Sequence, residues 1–189
     1  VYDGASFGMD ADGKLVFEGE SFKPDFVVTD WQRQDGKWVC AGGPQTELVS
    51  VDEAPWRACV LGLRDYVRKN GFSKVVLGLS GGIDSAVVAA LAVDALGPEN
   101  VHCVMLPYRY TSKTSLTDAE DCAKRLGVRY DVVSIGGPVE AALEELPPLF
   151  GTLPPDGPQG QLHSPMPGAV LMAGSDQLRS QLLSHGHRC

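Results

Sequence analysis

Apolar positions along the chain change their period twice, and the changes divide it into three parts. In residues 1–31 the stretch VYDGASFGMDADGKLVFEGESF predicts two short strands joined at Asp12-Gly13, a dipeptide suited to tight turns. That is too little β material to be stable alone. Residues 32–52, QRQDGKWVCAGGPQTELVSVD, are rich in glycine and polar side chains, and they predict a linker. Beyond it, Trp56, Val60, Leu63 and Val67 recur every three or four residues, and Gly71 follows as a stop, which predicts an amphipathic helix.

From residue 74 onward the two periods alternate. Apolar runs at 74–79, 101–106 and 129–135 predict strands, and the stretches 85–96, 116–126 and 138–146 predict helices. Ser115, three residues before Asp118, predicts the start of the middle helix. Successive strand–helix units whose strands are apolar on both faces imply an α/β fold, a doubly wound parallel sheet with flanking helices. Such sheets bind ligands at the carboxyl ends of their strands, which for the first strand is the stretch 80–85.

Composition adds limits. The 189 residues are 43% hydrophobic, enough for one good core and part of a second. A formal charge of −8 and the lack of a Lys/Arg run argue against nucleic acid as a partner. No apolar stretch reaches the roughly 18 residues of a membrane span, since even 86–96 is interrupted by Asp94. Five cysteines, odd in number and without CxxC spacing, point to a reduced, cytoplasmic protein whose cysteines form no metal site. The chain opens on Val1 within an expected strand, as a fragment of a longer protein would.

The chemistry is concentrated at 75–91, VVLGLSGGIDSAVVAAL. Gly81 and Gly82 allow close backbone approach at the start of a helix, whose N–H groups favour an anion. Neither the Walker A spacing nor the dinucleotide fingerprint is present. The pattern is S-G-G-x-D-S, in which Ser80 and Ser85 offer hydroxyls while Asp84 repels phosphate unless a divalent cation lies between them. Asp84 therefore implies Mg²⁺. Read structurally, the same residues are a glycine-rich turn with Ser85 as helix cap, but capping needs one polar residue and this loop commits several.

LGLSGGIDSAVVAAL resembles the pyrophosphate-binding loop of the ATP pyrophosphatase (PP-loop) superfamily. Its flanks, VMLPYRYTSKTSLTDAEDCAKRLGV at 104–128 and WRACVLGLRDYVRKNGF at 56–72, are similar to those of glutamine-dependent NAD synthetases. The opening VYDGASFGMDADGKL resembles the last strands of the nitrilase-like glutaminase domain that precedes the synthetase in that family. The resemblance implies residues 1–31 as a glutaminase tail, 32–52 as a linker, and 53–189 as the first part of an ATP-binding domain with an adenine nucleotide alpha hydrolase-like fold. Another PP-loop amidotransferase, such as a GMP synthetase, and a non-catalytic nucleotide-binding remnant are the alternatives.

The implied reaction is ATP-dependent amide ligation, in which nicotinic acid adenine dinucleotide is adenylated and then amidated with ammonia from glutamine. By resemblance, Gly78, Leu79, Ser80, Gly81, Gly82, Ile83, Asp84 and Ser85 hold ATP, and Asp84 holds Mg²⁺. Met105, Leu106 and Pro107 stand where the family receives adenine, and Tyr110, Thr111 and Ser112 match its polar loop, with Tyr108 where a small serine is usual. Further on, GQLHSPMPGAVLMAGSDQLRSQLLSHGHRC keeps the family register with departures. Gln161 replaces a dinucleotide-contacting Asn, His185 an ATP-contacting Thr and Arg188 a Lys. Pro165 and Pro167 replace arginines and, if interior, would oppose the expected helix. His163, His185 and His187 read as solvated side chains rather than a metal site. The family also implies a homodimer of synthetase domains, with Trp56, Leu63 and Val67 as candidate contacts.

Overall fold

The computed structural model describes residues 3–145 and 165–184, which group into two compact units, 1–62 and 63–189. In the first unit, β1 (Phe7–Met9) and β2 (Leu15–Glu18) form the expected hairpin. Its turn is tied by the Asp10 carboxylate, which accepts from the backbone N–H groups of Asp12 and Lys14 at 3.0 and 2.9 Å. The stretch expected as a linker holds a second antiparallel hairpin, β3 (Trp31–Gln34) and β4 (Lys37–Cys40). Its turn is Asp35-Gly36, both at positive φ (50° and 82°), as a two-residue hairpin turn of this hand requires. The polar composition of QRQDGK hid a pairing made by backbone, since both strands are largely exposed.

The helix α1 (Ala54–Lys69) follows, and its last turns belong to the second unit. Leu63 and Val67, expected as dimer contacts, instead pack inward, with Val67 fully buried in the main core. The sheet of this unit is parallel throughout, in the order β7 (Arg129–Val132), β6 (Val101–Met105), β5 (Val75–Gly78), β8 (Gln181–Leu183). The chain winds outward from β5 to β7 and then returns to the other side of β5. The strand order therefore reverses beside β5, where doubly wound sheets bind ligands.

Helices cover both faces because the strands are apolar on both. On one face Val75, Leu77, Val101, Cys103 and Met105 meet Ala89 and Ala92 of α2 (Ile83–Leu96) and Ala119 and Ala123 of α3 (Lys113–Leu126). Alanines at these contacts let the helices approach closely. On the other face Val76 and Val104 meet Leu171 of α5 (Pro165–Leu178). Between β7 and α5 lies α4 (Gly136–Glu145), whose Val139 packs with Ile135 and Tyr108. Arg64 reaches from α1 to donate to the last carbonyls of α2, Ala95 at 2.9 Å and Asp94 at 3.2 Å, where a cation suits the helix end.

Helix starts differ from expectation in two places. α3 begins a turn before Ser115: Ser112 is its N-cap and accepts from the Ser115 N–H at 3.0 Å. Pro165 and Pro167 do not oppose α5, because they fall in its first turn, where the N–H groups have no helical partner to lose. That removes the helix-breaking argument at these two positions, while the replacement of two arginines stands.

One cross-strand pair supplies a pH-dependent test. His102 Nε2 lies 2.8 Å from Asp131 Oδ2, and Arg129 donates to the same oxygen at 3.0 Å. The hydrogen bond from His102, then the Arg129 charge, holds the Asp131 carboxyl below the usual range. A depressed carboxyl adds stability above its unfolded value and loses it as pH falls through the folded one. Because the carboxylate is half-exposed, Asp131→Asn is expected to cost less than about 1 kcal/mol at neutral pH. In melts at stepped pH, the gap to the unsubstituted chain should close below about pH 4. A gap that widens on acidification would contradict the assignment.

Candidate nucleotide site

Loop 80–85 leaves the carboxyl end of β5 at the reversal point of the sheet. Gly81 sits at φ +81°, and a Cβ there would collide with the Ser115 carbonyl at the start of α3. Only glycine meets both demands. Gly82 occupies the N-cap of α2, and no side chain caps the helix. Its first-turn N–H groups are thus left without a side-chain acceptor, the condition for receiving an anion.

The two serines brace the loop. Ser85, 1% exposed, donates its hydroxyl to the Gly82 carbonyl at 2.9 Å and accepts from the Ser80 N–H at 3.1 Å. The Ser80 hydroxyl lies 3.0 Å from that of Ser85 and accepts from the Gly82 N–H at 3.3 Å. Ser85 is therefore neither the helix cap nor an outward ligand donor, as the sequence had suggested; its burial makes it an internal strut. Ile83 and Asp84 face outward on the first turn of α2, with Ile83 77% exposed. Asp84 belongs to no cluster of potential metal ligands among the described residues. A single carboxylate suits Mg²⁺, which keeps several waters and takes further oxygens from substrate phosphates.

The remaining candidates divide by burial. Leu79 is in the main core, its N–H bonded to the Val104 carbonyl at 2.9 Å, so it offers no side chain to a ligand. Gly78 accommodates the Leu171 side chain of α5, 3.3 Å from the position of a Cβ. Met105 is likewise core, whereas Leu106 and Pro107 are half-buried at the end of β6. Tyr108 is buried, because the unusual large ring fills the space beside Ile135 and Val139. Gln161, His185 and Arg188 lie outside the described residues, as do His163 and His187.

Sequence reasoning passed over Arg109. It donates to the Tyr108 hydroxyl at 2.8 Å and stacks beside both neighbouring tyrosines, and its only sequence signal was a cation in a strand–helix loop. Cys103 of β6 is not primed for chemistry: burial pushes its thiol up to about 12. No helix among the described residues is long and apolar enough to cross a membrane.

Known proteins share this arrangement. The NAD synthase family model matches residues 55–188. The whole chain is 47% identical to a glutamine-dependent NAD(+) synthetase of Rhodobacter capsulatus and 42% identical to one of Xylella fastidiosa, and it spans 34% of the length of each. The solved structure of a glutamine-dependent NAD+ synthetase from Acinetobacter baumannii, in complex with ADP, superimposes with a TM-score of 0.90 at 35% identity. That match covers 99% of this chain and 35% of the other. An NH3-dependent NAD synthetase from Campylobacter jejuni gives a TM-score of 0.58 at 26% identity, covering 70% of this chain and 57% of its own. None of these supports the GMP synthetase alternative. With its glycine loop on a reversed parallel sheet and a family match across the synthetase region, the chain belongs to the NAD synthase family.

Proposed function

We propose that this chain is the ATP-binding part of a glutamine-dependent NAD synthetase, an ATP-dependent amide ligase. The observation that carries the reading is the loop 80–85, braced from within by Ser85 and opening onto an uncapped helix start. The ADP held by the Acinetobacter baumannii relative supports an adenine nucleotide as its ligand.

In this reading the Ser80–Asp84 backbone receives pyrophosphate, and Asp84 would hold Mg²⁺, which would supply charge neutralisation there. Leu106 and Pro107 border the adenine, with Met105 acting from the core beneath. The carboxylate of nicotinic acid adenine dinucleotide attacks the α-phosphorus, the bond to the β-phosphate oxygen breaks, and pyrophosphate leaves. Ammonia then attacks the acyl carbon, AMP departs with the bonding electrons, and a proton from the nitrogen goes to solvent. The protein's share is to hold two anions in line. Gln161 and Arg188 are assigned to the dinucleotide and His185 to ATP. Residues 1–31 are assigned to a glutaminase tail, and the complete protein is a cytoplasmic homo-oligomer fed by glutamine-derived ammonia.

Calorimetry tests the metal role. The unsubstituted chain should bind ATP more tightly with Mg²⁺ than without, and Asp84→Ala should abolish that difference. Equal affinity of the unsubstituted chain in both conditions would remove Asp84 as the ion's anchor.

A further inference from the structure

Two helix starts meet beside Gly81. α2 begins at Ile83, and α3 begins at Lys113 after the adjacent strand. A Cβ added to Gly81 would stand 2.9 Å from the Cα of Ser115 and nearer still to its carbonyl oxygen, so the first turn of α3 is a wall that the loop follows. The buried alanines of α3, Ala119 and Ala123, lie a turn or more beyond Ser115. Core packing therefore fixes the body of the helix and leaves its first turn to its cap.

That cap is Ser112. Its hydroxyl oxygen accepts from the Ser115 N–H at 3.0 Å and lies 2.9 Å from the Ser115 hydroxyl, while its carbonyl accepts from the Leu116 N–H at 3.3 Å. Ser112 has extended backbone (φ −69°, ψ 152°) and follows a closed turn. In that turn the Tyr108 N–H donates to Thr111 Oγ1 at 3.0 Å and the Thr111 N–H donates to the Tyr108 carbonyl at 2.8 Å. A first turn frays unless something takes its N–H groups. α3 has Ser112 for this, whereas α2 has no side-chain cap and presents its N–H groups to a ligand.

We propose that Ser112 is a positioning residue for nucleotide binding: its cap holds the Ser115 carbonyl against Gly81, and that contact keeps the N–H groups of loop 80–85 in the shape that receives phosphate. The assignment rests on the ATP reading above. Without the cap, the first turn of α3 unwinds, Gly81 gains room, and its φ of +81° is no longer enforced. Affinity then falls because the ligand has to order a loop that was ordered in advance.

Calorimetry with MgATP and with inorganic pyrophosphate, on the unsubstituted chain, Ser112→Ala, Ser112→Thr and Gly127→Ala, tests this. Gly127 closes the opposite end of α3 at φ +68°, with nothing within 4 Å of its Cβ position, so Gly127→Ala strains the helix without touching Gly81. Ser112→Ala and Gly127→Ala should each lower the melting temperature by about 2–4 °C. Only Ser112→Ala should weaken both ligands, by roughly three- to tenfold. Ser112→Thr keeps a capping hydroxyl and should bind within about twofold of the unsubstituted chain. A double-mutant cycle with Gly81→Ala separates positioning from direct contact. Once Gly81→Ala has spoiled the contact, adding Ser112→Ala should cost less than about a further twofold; an undiminished loss would mean that the hydroxyl touches the nucleotide itself, and the positioning role would fall. If Gly81→Ala does not fold or binds too weakly to titrate, amide exchange without ligand decides. The N–H groups of residues 82–85 should then exchange faster in Ser112→Ala than in Gly127→Ala, and equal rates would overturn the proposal. Should the unsubstituted chain bind MgATP while Ser112→Ala binds as tightly as Gly127→Ala, the positioning role is wrong and the ATP reading stands. Failure of the unsubstituted chain to bind MgATP overturns both.

Discussion

Given nicotinic acid adenine dinucleotide, MgATP and excess ammonium, the 189-residue chain is expected to form NAD at least about 100-fold more slowly than a full-length relative. Adenylation requires the dinucleotide carboxylate in line with the α-phosphorus, and a displacement of about 1 Å can cost a factor of that size. In the proposed reading, loop 80–85 fixes one of the two anions. The other is assigned in that reading to Gln161 and Arg188, which depart from the residues the family resemblance implies there, and the chain spans 34% of the length of its relatives. Ammonium replaces the glutamine-hydrolysing step, so the assay isolates the synthetase reaction. ATP binding should survive where synthesis does not. Turnover by the purified chain comparable to that of a full-length relative would show that the described residues and the C-terminal stretch suffice for alignment.

The second large effect concerns Gly81. Replacing it with alanine places a Cβ against the Ser115 carbonyl and forces a side chain into φ +81°, so either α3 moves away or the loop changes shape. A loss of about 1–3 kcal/mol in stability is expected from the backbone conformation alone. MgATP affinity should fall by more than about tenfold, because the N–H groups lose their common focus. Gly82→Ala is the control: its φ of −88° suits any residue, and its Cβ would meet only Ser80 Oγ at 3.4 Å. Denaturant titration and calorimetry on both variants make the comparison. Equal behaviour of the two would show that the Gly81–Ser115 contact does not shape the loop.

The fold was readable wherever burial set the pattern. Strands β5 and β6 are apolar on both faces because helices cover both, and Val75 and Leu77 on one face with Val76 and Val104 on the other announce this in sequence. The α3 start was misplaced because two serines three residues apart offer the same chemistry, and packing of Ser115 against Gly81 selects Ser112 as the cap. The β3–β4 hairpin escaped notice because its strands bury little; an Asp-Gly turn was its one strong signal. At the site, residue types were legible but roles were not. Ser85 reads as a ligand donor until its burial shows the hydroxyl turned to Gly82. Leu79 and Met105 fall within a binding motif yet point into the core, because a strand that delivers a loop must also pack. Arg109 carried no motif, and only the stack of its neighbours distinguishes it from an ordinary surface cation.

The pairing of β5 with β8 has a consequence for how the protein is made. Val75 lies beside Gln181, so the strand that carries the glycine loop gains its second neighbour only after about a hundred further residues have been synthesised. At roughly 5–20 residues per second that interval is on the order of 5–20 s. Throughout it, β5 emerges from the ribosome with one edge bare, and the short apolar run Val75–Gly78 is open to pairing with another nascent chain. Burial against α2 and pairing with β6, both complete within the next thirty or so residues, are the contacts available to shelter it meanwhile.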